Sequence, residues 1–150
     1  EINTLEGLGE YLPYSAFLIA ILSAVRLAKF NISTNQTDEF IGLPTPANAL
    51  FFSAIPIIYT NGFFNAPYFL YVVLVLILVM TLLLNSSIRL IALKFKSFGW
   101  KGNEYRFILL GCILLTILAS LLINSIFIAI PIIILLYIVI SIIKNSLTKI

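Results

Sequence analysis

The chain has 150 residues, of which 61% are hydrophobic and only 10% are charged. Soluble domains are closer to half apolar and a quarter charged, so this composition excludes a small domain folded in water. Lipid is the solvent that fits it, and the predicted fold class is an all-α, polytopic membrane helix bundle.

The residue types also limit the chemistry. The sequence has no histidine, which removes the commonest general base and a common metal ligand. Cys112 is its single cysteine, so neither an internal disulfide nor a C-x-x-C site is possible. Residue 1 is Glu rather than Met, and no signal peptide precedes the first apolar stretch, so we expect the chain to be part of a longer protein.

Five stretches approach the roughly 20 apolar residues that a membrane-spanning helix needs. In chain order they are 11–28, 46–60, 67–93, 107–123 and 126–143, and the third becomes more polar after residue 84. The short links 61–66 and 124–125 predict tight hairpins. The sequence therefore predicts one domain of about five transmembrane helices.

The charges indicate how these helices cross the bilayer. When five helices alternate in direction, all nine Lys and Arg residues fall on one side. The acidic residues Glu1, Glu6 and Glu10 and the two uncharged hairpins fall on the other. Because basic residues are retained inside, the basic side is predicted to be cytoplasmic.

The first polar cluster is RLAKFN, residues 26–31, at the end of the first helix. Arg26 and Lys29 are three residues apart and share a helical face. One interpretation is that both are interfacial cations reaching for lipid phosphates. The other is an anion site for a phosphate or carboxylate.

The second polar cluster is FIGLPTPANA, residues 40–49, at the start of the second helix. Pro46 suits a first helical turn, and Thr45 is placed to be its N-cap. Free N–H groups at such an end favour an anion, and the predicted topology puts this helix start at the depth of Arg26. An ordinary helix start without a ligand is the alternative.

The third polar cluster is NSSIR, residues 85–89, near the cytoplasmic end of the third helix. Asn85 and Arg89 are four residues apart and are predicted to share a face. Polar groups at this depth usually face protein or a water-filled cavity. Hydrogen bonding between helices and contact with a ligand both remain open.

Acidic residues are absent from all five predicted spans. The carboxylates are Glu1, Glu6, Glu10, Asp38, Glu39 and Glu104. They form no paired-carboxylate metal site, and the sequence offers no nucleophile with a base and no glycine-rich phosphate loop. We therefore expect no catalytic residue and no metal ligand in this chain.

The first two clusters together closely resemble the CDP-alcohol phosphatidyltransferase family, and within it the bacterial members that use serine. The order of the two motifs, their short spacer and the later stretch NSSIRLIALKFK at 85–96 are all similar to the later half of such enzymes. The resemblance covers about residues 12–96, and the last two helices match only as apolar spans.

The resemblance implies an integral membrane transferase of phospholipid biosynthesis in the bacterial inner membrane, with its site facing the cytoplasm. It implies transfer of a phosphatidyl group from CDP-diacylglycerol to L-serine, giving phosphatidylserine and CMP. The substrate-binding residues it implies are Arg26, Lys29, Asn31, Thr45, Asn48 and Arg89.

The same resemblance places the metal chemistry elsewhere. The aspartate motif that holds a divalent metal ion (Mg or Mn) in this family has no counterpart in the sequence. We therefore expect the 150 residues alone to be inactive and the full-length enzyme to bind the metal. A homodimer is compatible with the resemblance, and no nucleic-acid partner is expected.

Two alternatives stay open. Another enzyme of the family, such as one using glycerol phosphate, would share these motifs. A non-catalytic membrane subunit or part of a transporter would share the composition. A transporter is expected to place polar or broken helix near the bilayer midplane, whereas the polar residues here lie mainly at the predicted cytoplasmic ends.

The topology gives a first prediction. Cysteines introduced at 61 should react with an impermeant thiol reagent in intact cells, and cysteines introduced at 97 should not, because the basic side is cytoplasmic. Labelling in permeabilised cells provides the control for accessibility. Labelling at 97 but not at 61 in intact cells would contradict the arrangement.

Overall fold

A computed structural model describes residues 11–32, 40–62, 68–95 and 99–147 of the chain, and it is mostly helical. A short 3-10 helix, Leu12–Ala16, precedes five α-helices and two short strands. These are α1 (Phe17–Ile32), β1 (Phe40–Ile41), α2 (Thr45–Thr60), α3 (Phe69–Leu84), β2 (Arg89–Leu90), α4 (Glu104–Leu122) and α5 (Ile126–Leu147).

Within the described ranges, three helices are long and apolar enough to cross a membrane. They are Pro13–Ile32, Glu104–Leu122 and Ile126–Leu147. Helices α2 and α3 have 16 residues each, which corresponds to about 24 Å at 1.5 Å per residue and falls short of a hydrocarbon core of about 30 Å. The helical prediction is confirmed together with three membrane-capable helices, and five crossings remain a prediction.

The core lies at one end of the bundle. Helix α5 packs against α2, α4 and β2, while α1 packs mainly against α3. The buried residues that form one apolar cluster are Leu43, Phe51, Met80, Leu84, Leu90, Ile134 and Ile138. They come from the start of α2, the end of α3, the strand β2 and the middle of α5. Burial is therefore concentrated where the polar motifs predicted from sequence meet.

The predicted extension of the third helix to residue 93 is wrong, because α3 ends at Leu84. The carbonyl of Leu83 accepts hydrogen bonds from the Ser86 hydroxyl at 2.9 Å and from the Leu43 N–H at 2.9 Å. Ser and Asn side chains compete with helical hydrogen bonds in this way. The predicted start at residue 67 lies outside the described residues.

After α3 the chain becomes extended and pairs with the segment before α2. Strands β1 and β2 are antiparallel, with Phe40 opposite Leu90 and Ile41 opposite Arg89. The Gly42 N–H continues this pairing to the Ile88 carbonyl at 2.8 Å. The start of α2 is thereby fixed against the end of α3.

Helix α5 holds the other side of β2. The Ser141 hydroxyl, which is fully buried, accepts the Ile91 N–H at 3.2 Å. The Asn145 side-chain amide donates to the Arg89 carbonyl at 2.6 Å. The extended segment after α3 is therefore hydrogen-bonded on both sides.

The predicted hairpin at 124–125 is confirmed between α4 and α5. Asn124 adopts a positive φ of 53°, a conformation that Asn tolerates better than most residues. The Ser125 N–H then closes the turn on the Ser120 carbonyl at 3.0 Å. Of the predicted link 61–66, only Asn61 and Gly62 are described.

Gly42 sits at the tightest point of this arrangement, and its substitution tests it. Its φ is +72°, and a Cβ would lie 2.5 Å from the Leu84 carbonyl oxygen. We expect Gly42→Ala to lower the free energy of unfolding by more than the roughly 1–2 kcal/mol that a left-handed backbone alone costs. Thermal unfolding in a fixed detergent would measure it.

Gly62→Ala is the matched control. Gly62 has a φ of +78° and nothing within 4 Å of the added Cβ, so only the conformational cost applies. Equal losses in the two variants would show that the close approach at Gly42 carries no additional cost.

Candidate functional site

The end of α3 and the start of α2 meet beside the apolar core, next to the middle of α1. The Asn85 side-chain amide, just after α3, donates to the Leu22 carbonyl of α1 at 3.0 Å. The Leu43 N–H, just before α2, donates to the Leu83 carbonyl of α3 at 2.9 Å. Arg26 lies one helical turn beyond Leu22 on α1. The three polar motifs therefore occupy neighbouring positions in the fold.

Buried polar atoms without a hydrogen-bond partner concentrate at this junction. Among the described residues these atoms are Arg26 Nε, Thr45 Oγ1, Asn48 Nδ2, Asn48 Oδ1, Asn85 Oδ1 and Ser125 Oγ. All except that of Ser125 belong to the three polar motifs. Buried polar groups are normally paired, because an unpaired one costs roughly 1–3 kcal/mol. We call Arg26, Thr45, Asn48 and Asn85 the polar site.

Asn48 contributes most to this site. It lies in the first turn of α2 and is fully buried, with both polar atoms of its side chain unpaired. It belongs to a buried stripe that continues through Phe51, Ala54 and Ile58. The spacing of about one turn explains the placement, since these side chains share the face that α2 turns toward the core.

Thr45 reaches the site in a different way from the one predicted. It was expected to be the N-cap of α2, but Pro44 holds that position and Thr45 is the first helical residue. No side-chain hydrogen bond caps this helix. Because Pro44 is extended, with a φ of −60° and a ψ of 133°, the helix begins one residue earlier than predicted. The Thr45 hydroxyl is therefore left for another partner.

Arg26 provides the positive charge of the site. Its side chain is partly buried on α1, and Tyr137 of α5 lies close enough for an electrostatic interaction. Tyr137 itself packs against the core cluster formed by α2, α3 and α5. Through Tyr137, the last helix borders the polar site.

The remaining predicted residues lie outside this junction. Lys29 and Asn31 are exposed near the end of α1. Arg89 is exposed in β2, so the prediction that it shares a helical face with Asn85 is wrong. Arg26, Thr45 and Asn48 therefore each carry a buried, unpaired polar atom, whereas Lys29, Asn31 and Arg89 are exposed.

Two residues of the junction were not among the predicted binding residues. Asn85 was noted for its polarity, and its unpaired Oδ1 identifies it as an acceptor in the site. Tyr137 is the one tyrosine of α5, and no sequence signal distinguishes it from an interfacial tyrosine. Only the packing of α5 against α2 reveals its position.

The chemistry available at the polar site is recognition. It presents donors from Arg26 and Asn48, acceptors from Asn48 and Asn85, and a hydroxyl that can do either. Within the described part of the chain, no group of three His, Cys, Asp or Glu residues could hold a metal ion. Such a set offers hydrogen bonds and one positive charge to a polar ligand.

The fold and the polar site define a mostly helical protein with three membrane-capable helices and a cluster of buried, unpaired polar atoms. Over 35 residues the chain is 57% identical to the CDP-diacylglycerol--serine O-phosphatidyltransferase of Helicobacter pylori, with the same values for strains 26695 and J99. The matched stretch is 22% of this chain and 15% of each relative, well under two thirds of their length. No family model and no solved structure matches the chain.

The unpaired atoms of Asn48 lead to a stability prediction. Without a ligand, Asn48→Leu should leave the free energy of unfolding unchanged or raise it by up to about 1–3 kcal/mol, because it removes two buried unpaired atoms. Asn85→Leu is the matched control and should be about 1 kcal/mol less favourable than a removal of unpaired atoms alone, because it removes one buried unpaired oxygen but also loses the bond to Leu22.

Thermal unfolding of both variants in one detergent would separate the two effects. A larger loss for Asn48→Leu than for Asn85→Leu would mean that Asn48 has a structural role and is not reserved for a ligand.

Proposed function

We propose that this chain is part of a membrane-bound transferase of phospholipid biosynthesis that moves a phosphatidyl group from CDP-diacylglycerol to L-serine. In this proposal the polar site binds the head group of a substrate at the cytoplasmic face of a bacterial inner membrane. The observation that carries the proposal is the set of buried, unpaired polar atoms on Arg26, Thr45, Asn48 and Asn85. The short likeness to the Helicobacter pylori enzymes supports the reaction.

The balance of donors and acceptors favours an amino acid as the ligand. A free phosphate offers mainly acceptors, which would pair with Arg26 and the Asn48 amide but leave two side-chain oxygens unpaired. Zwitterionic serine also has an ammonium group with three donors. The oxygens of Asn48 and Asn85 would accept from this ammonium group, while Arg26 would bind the carboxylate.

The serine hydroxyl is the group that must reach the phosphorus atom. In the proposed transfer a bond forms between this hydroxyl oxygen and the phosphatidyl phosphorus, and the bond to CMP breaks. Holding the carboxylate and ammonium groups at fixed points orients the hydroxyl, which is how a binding site lowers a reaction barrier. The role proposed for this part of the protein is therefore positioning.

The divalent metal ion of the proposed reaction is not assigned to these residues. The polar site consists of amides, a hydroxyl and a guanidinium group, whereas Mg²⁺ is normally bound through carboxylates. Glu104 is the only carboxylate among the described residues, and its Oε1 accepts the N–H of Gly102 at 2.9 Å. Metal binding and the general base are proposed for other parts of the full-length enzyme.

Lys29, Asn31 and Arg89 remain proposed contacts at the rim. Their exposure suits an interaction with the phosphates of CDP-diacylglycerol, which approaches from the membrane surface. A homodimer likewise remains a proposal.

The reaction is tested with membranes that contain the full-length enzyme. CDP-diacylglycerol and a divalent metal ion are supplied with either labelled serine or labelled glycerol 3-phosphate, and lipid products are separated by chromatography. Label from serine in phosphatidylserine is the expected result. Label from glycerol phosphate alone would assign the chain to another enzyme of this type, and label from neither would support a non-catalytic membrane subunit.

Arg26 gives the sharpest test of the binding role. Arg26→Lys keeps the charge but loses the planar fork that binds a carboxylate through two bonds. Losing a hydrogen bond to a charged group should cost about 1.5–3 kcal/mol, which is roughly 10- to 150-fold in kcat/KM. The loss should appear in the KM for serine more than in the KM for CDP-diacylglycerol.

Arg106→Lys is the matched control. The Arg106 guanidinium bonds within its own segment, to the Ala92 carbonyl at 2.9 Å and to the Asn103 side chain at 2.6 Å. Rates are normalised to the amount of folded protein. Near-normal kinetics for Arg26→Lys would identify Arg26 as a lipid anchor and remove the charged residue from the proposed site.

A further inference from the structure

The segment between β2 and α4 carries an aromatic surface on the outside of the bundle. The indole of Trp100 is 64% exposed and stacks on the ring of Phe107, with a centroid distance of 5.4 Å and an interplanar angle of 4°. Phe95 contacts the same ring at 5.7 Å. We call Phe95, Trp100 and Phe107, with the exposed Lys94 and Lys101, the aromatic surface.

Hydrogen bonds of Arg106 hold in place the backbone that carries this surface. Its Nε donates to the Ala92 carbonyl at 2.9 Å, and its Nη1 donates to Asn103 Oδ1 at 2.6 Å. The guanidinium carbon lies 5.9 Å from the centroid of Phe95, within range of a cation–π contact. The Asn103 side-chain amide in turn donates to the Gly99 carbonyl at 2.8 Å. These bonds hold the backbone on both sides of Trp100.

The stacking also sets the depth of Trp100 relative to a membrane. Helix α4, which is long and apolar enough to cross a membrane, begins at Glu104, and Phe107 lies in its first turn. Because the indole packs on Phe107, it lies beside that first turn rather than far out in water. Tryptophan is enriched at this level, between the acyl chains and the head groups.

The charge around the aromatic surface is strongly positive. Residues 89–107 contain five basic side chains and one acidic one, a net charge of 5 − 1 = +4. Glu104, the acidic one, accepts a hydrogen bond from the backbone N–H of Gly102. Lys94 and Lys101 are both exposed. A basic patch beside a membrane helix attracts anionic lipids.

We propose that the aromatic surface binds the head groups of anionic phospholipids in the surrounding membrane. Trp100 lies at the boundary of the acyl chains, and Lys94 and Lys101 contact the phosphates above it. This lipid site is separate from the polar site and does not depend on the proposed reaction. Its occupant is an anionic phospholipid rather than a zwitterionic one.

The experiment uses the single tryptophan of the 150-residue chain as its reporter. The full chain is reconstituted into phosphatidylcholine vesicles that contain either brominated phosphatidylglycerol or brominated phosphatidylcholine at the same mole fraction. Bromine quenches tryptophan fluorescence on contact. We expect stronger quenching by the anionic lipid, and stronger quenching by bromine placed near the head group than by bromine placed near the end of the acyl chain.

Lysine variants then identify the contacts. Lys94→Gln and Lys101→Gln should each reduce the preference for the anionic lipid roughly fivefold, the effect of one basic residue near a membrane surface. Lys29→Gln is the control for total charge in the quenching of Trp100, because these vesicles contain no CDP-diacylglycerol and α1 and α4 are not neighbours among the described residues. It removes one charge from the chain and should leave the preference unchanged.

Three results would overturn the proposal. Equal quenching by both lipids would reduce Trp100 to an interfacial anchor without selectivity. Absence of quenching by either lipid would place the aromatic surface in water. An effect of Lys29→Gln as large as that of Lys94→Gln would attribute the preference to overall charge.

Discussion

The hydrogen bond from the Leu43 N–H to the Leu83 carbonyl joins two parts of the chain on which the remaining structure depends. It ends α3, fixes the backbone just before α2 and brings Gly42 against the Leu84 carbonyl oxygen. The side chain of Asn85 then contacts α1, and Asn48, in the first turn of α2, is buried. A single backbone contact between two helix ends therefore determines which polar side chains become neighbours.

These polar side chains lie in an apolar bundle, where an unpaired polar atom is costly. A bundle this apolar has little water inside to pair with stray donors and acceptors, so each unpaired atom lowers its stability. Among the described residues, five of the six buried unpaired atoms belong to the three polar motifs, whereas the hydroxyl of Thr81 pairs locally with the Ile77 carbonyl at 2.6 Å. A hydroxyl on a helix can pair with a nearby carbonyl, whereas neither polar atom of the Asn48 side chain has a hydrogen-bond partner.

Hydropathy was sufficient to predict the helices, because every helical stretch is a run of apolar residues between polar ones. It could not predict that α3 stops at Leu84, since residues 85–93 are still apolar enough to continue a helix. The competing contact comes from Leu43, 40 residues before Leu83, and no local pattern contains it. The polar residues Asn85 and Ser86 were the available local signal for a helix end.

Polarity in an apolar background was similarly a partial guide to the site. It identified Arg26, Thr45 and Asn48, which carry buried unpaired atoms, but it gave equal weight to the exposed Lys29 and Arg89. Whether a residue at a helix end faces inward depends on which neighbour covers it. Arg26 interacts electrostatically with Tyr137 of α5, and Tyr137 carries no distinguishing sequence signal.

The hydrogen bonds from α5 to β2 have a consequence for biogenesis. Helix α5 is the last element of the described chain to be synthesised, yet Ser141 and Asn145 hold the segment that fixes the start of α2. Helices α1 to α3 are synthesised earlier, before α5 can hold this segment. The junction at the start of α2 is therefore completed only when α5 has packed against α2 and β2, so that the earlier helices are made before the arrangement of their polar ends is fixed.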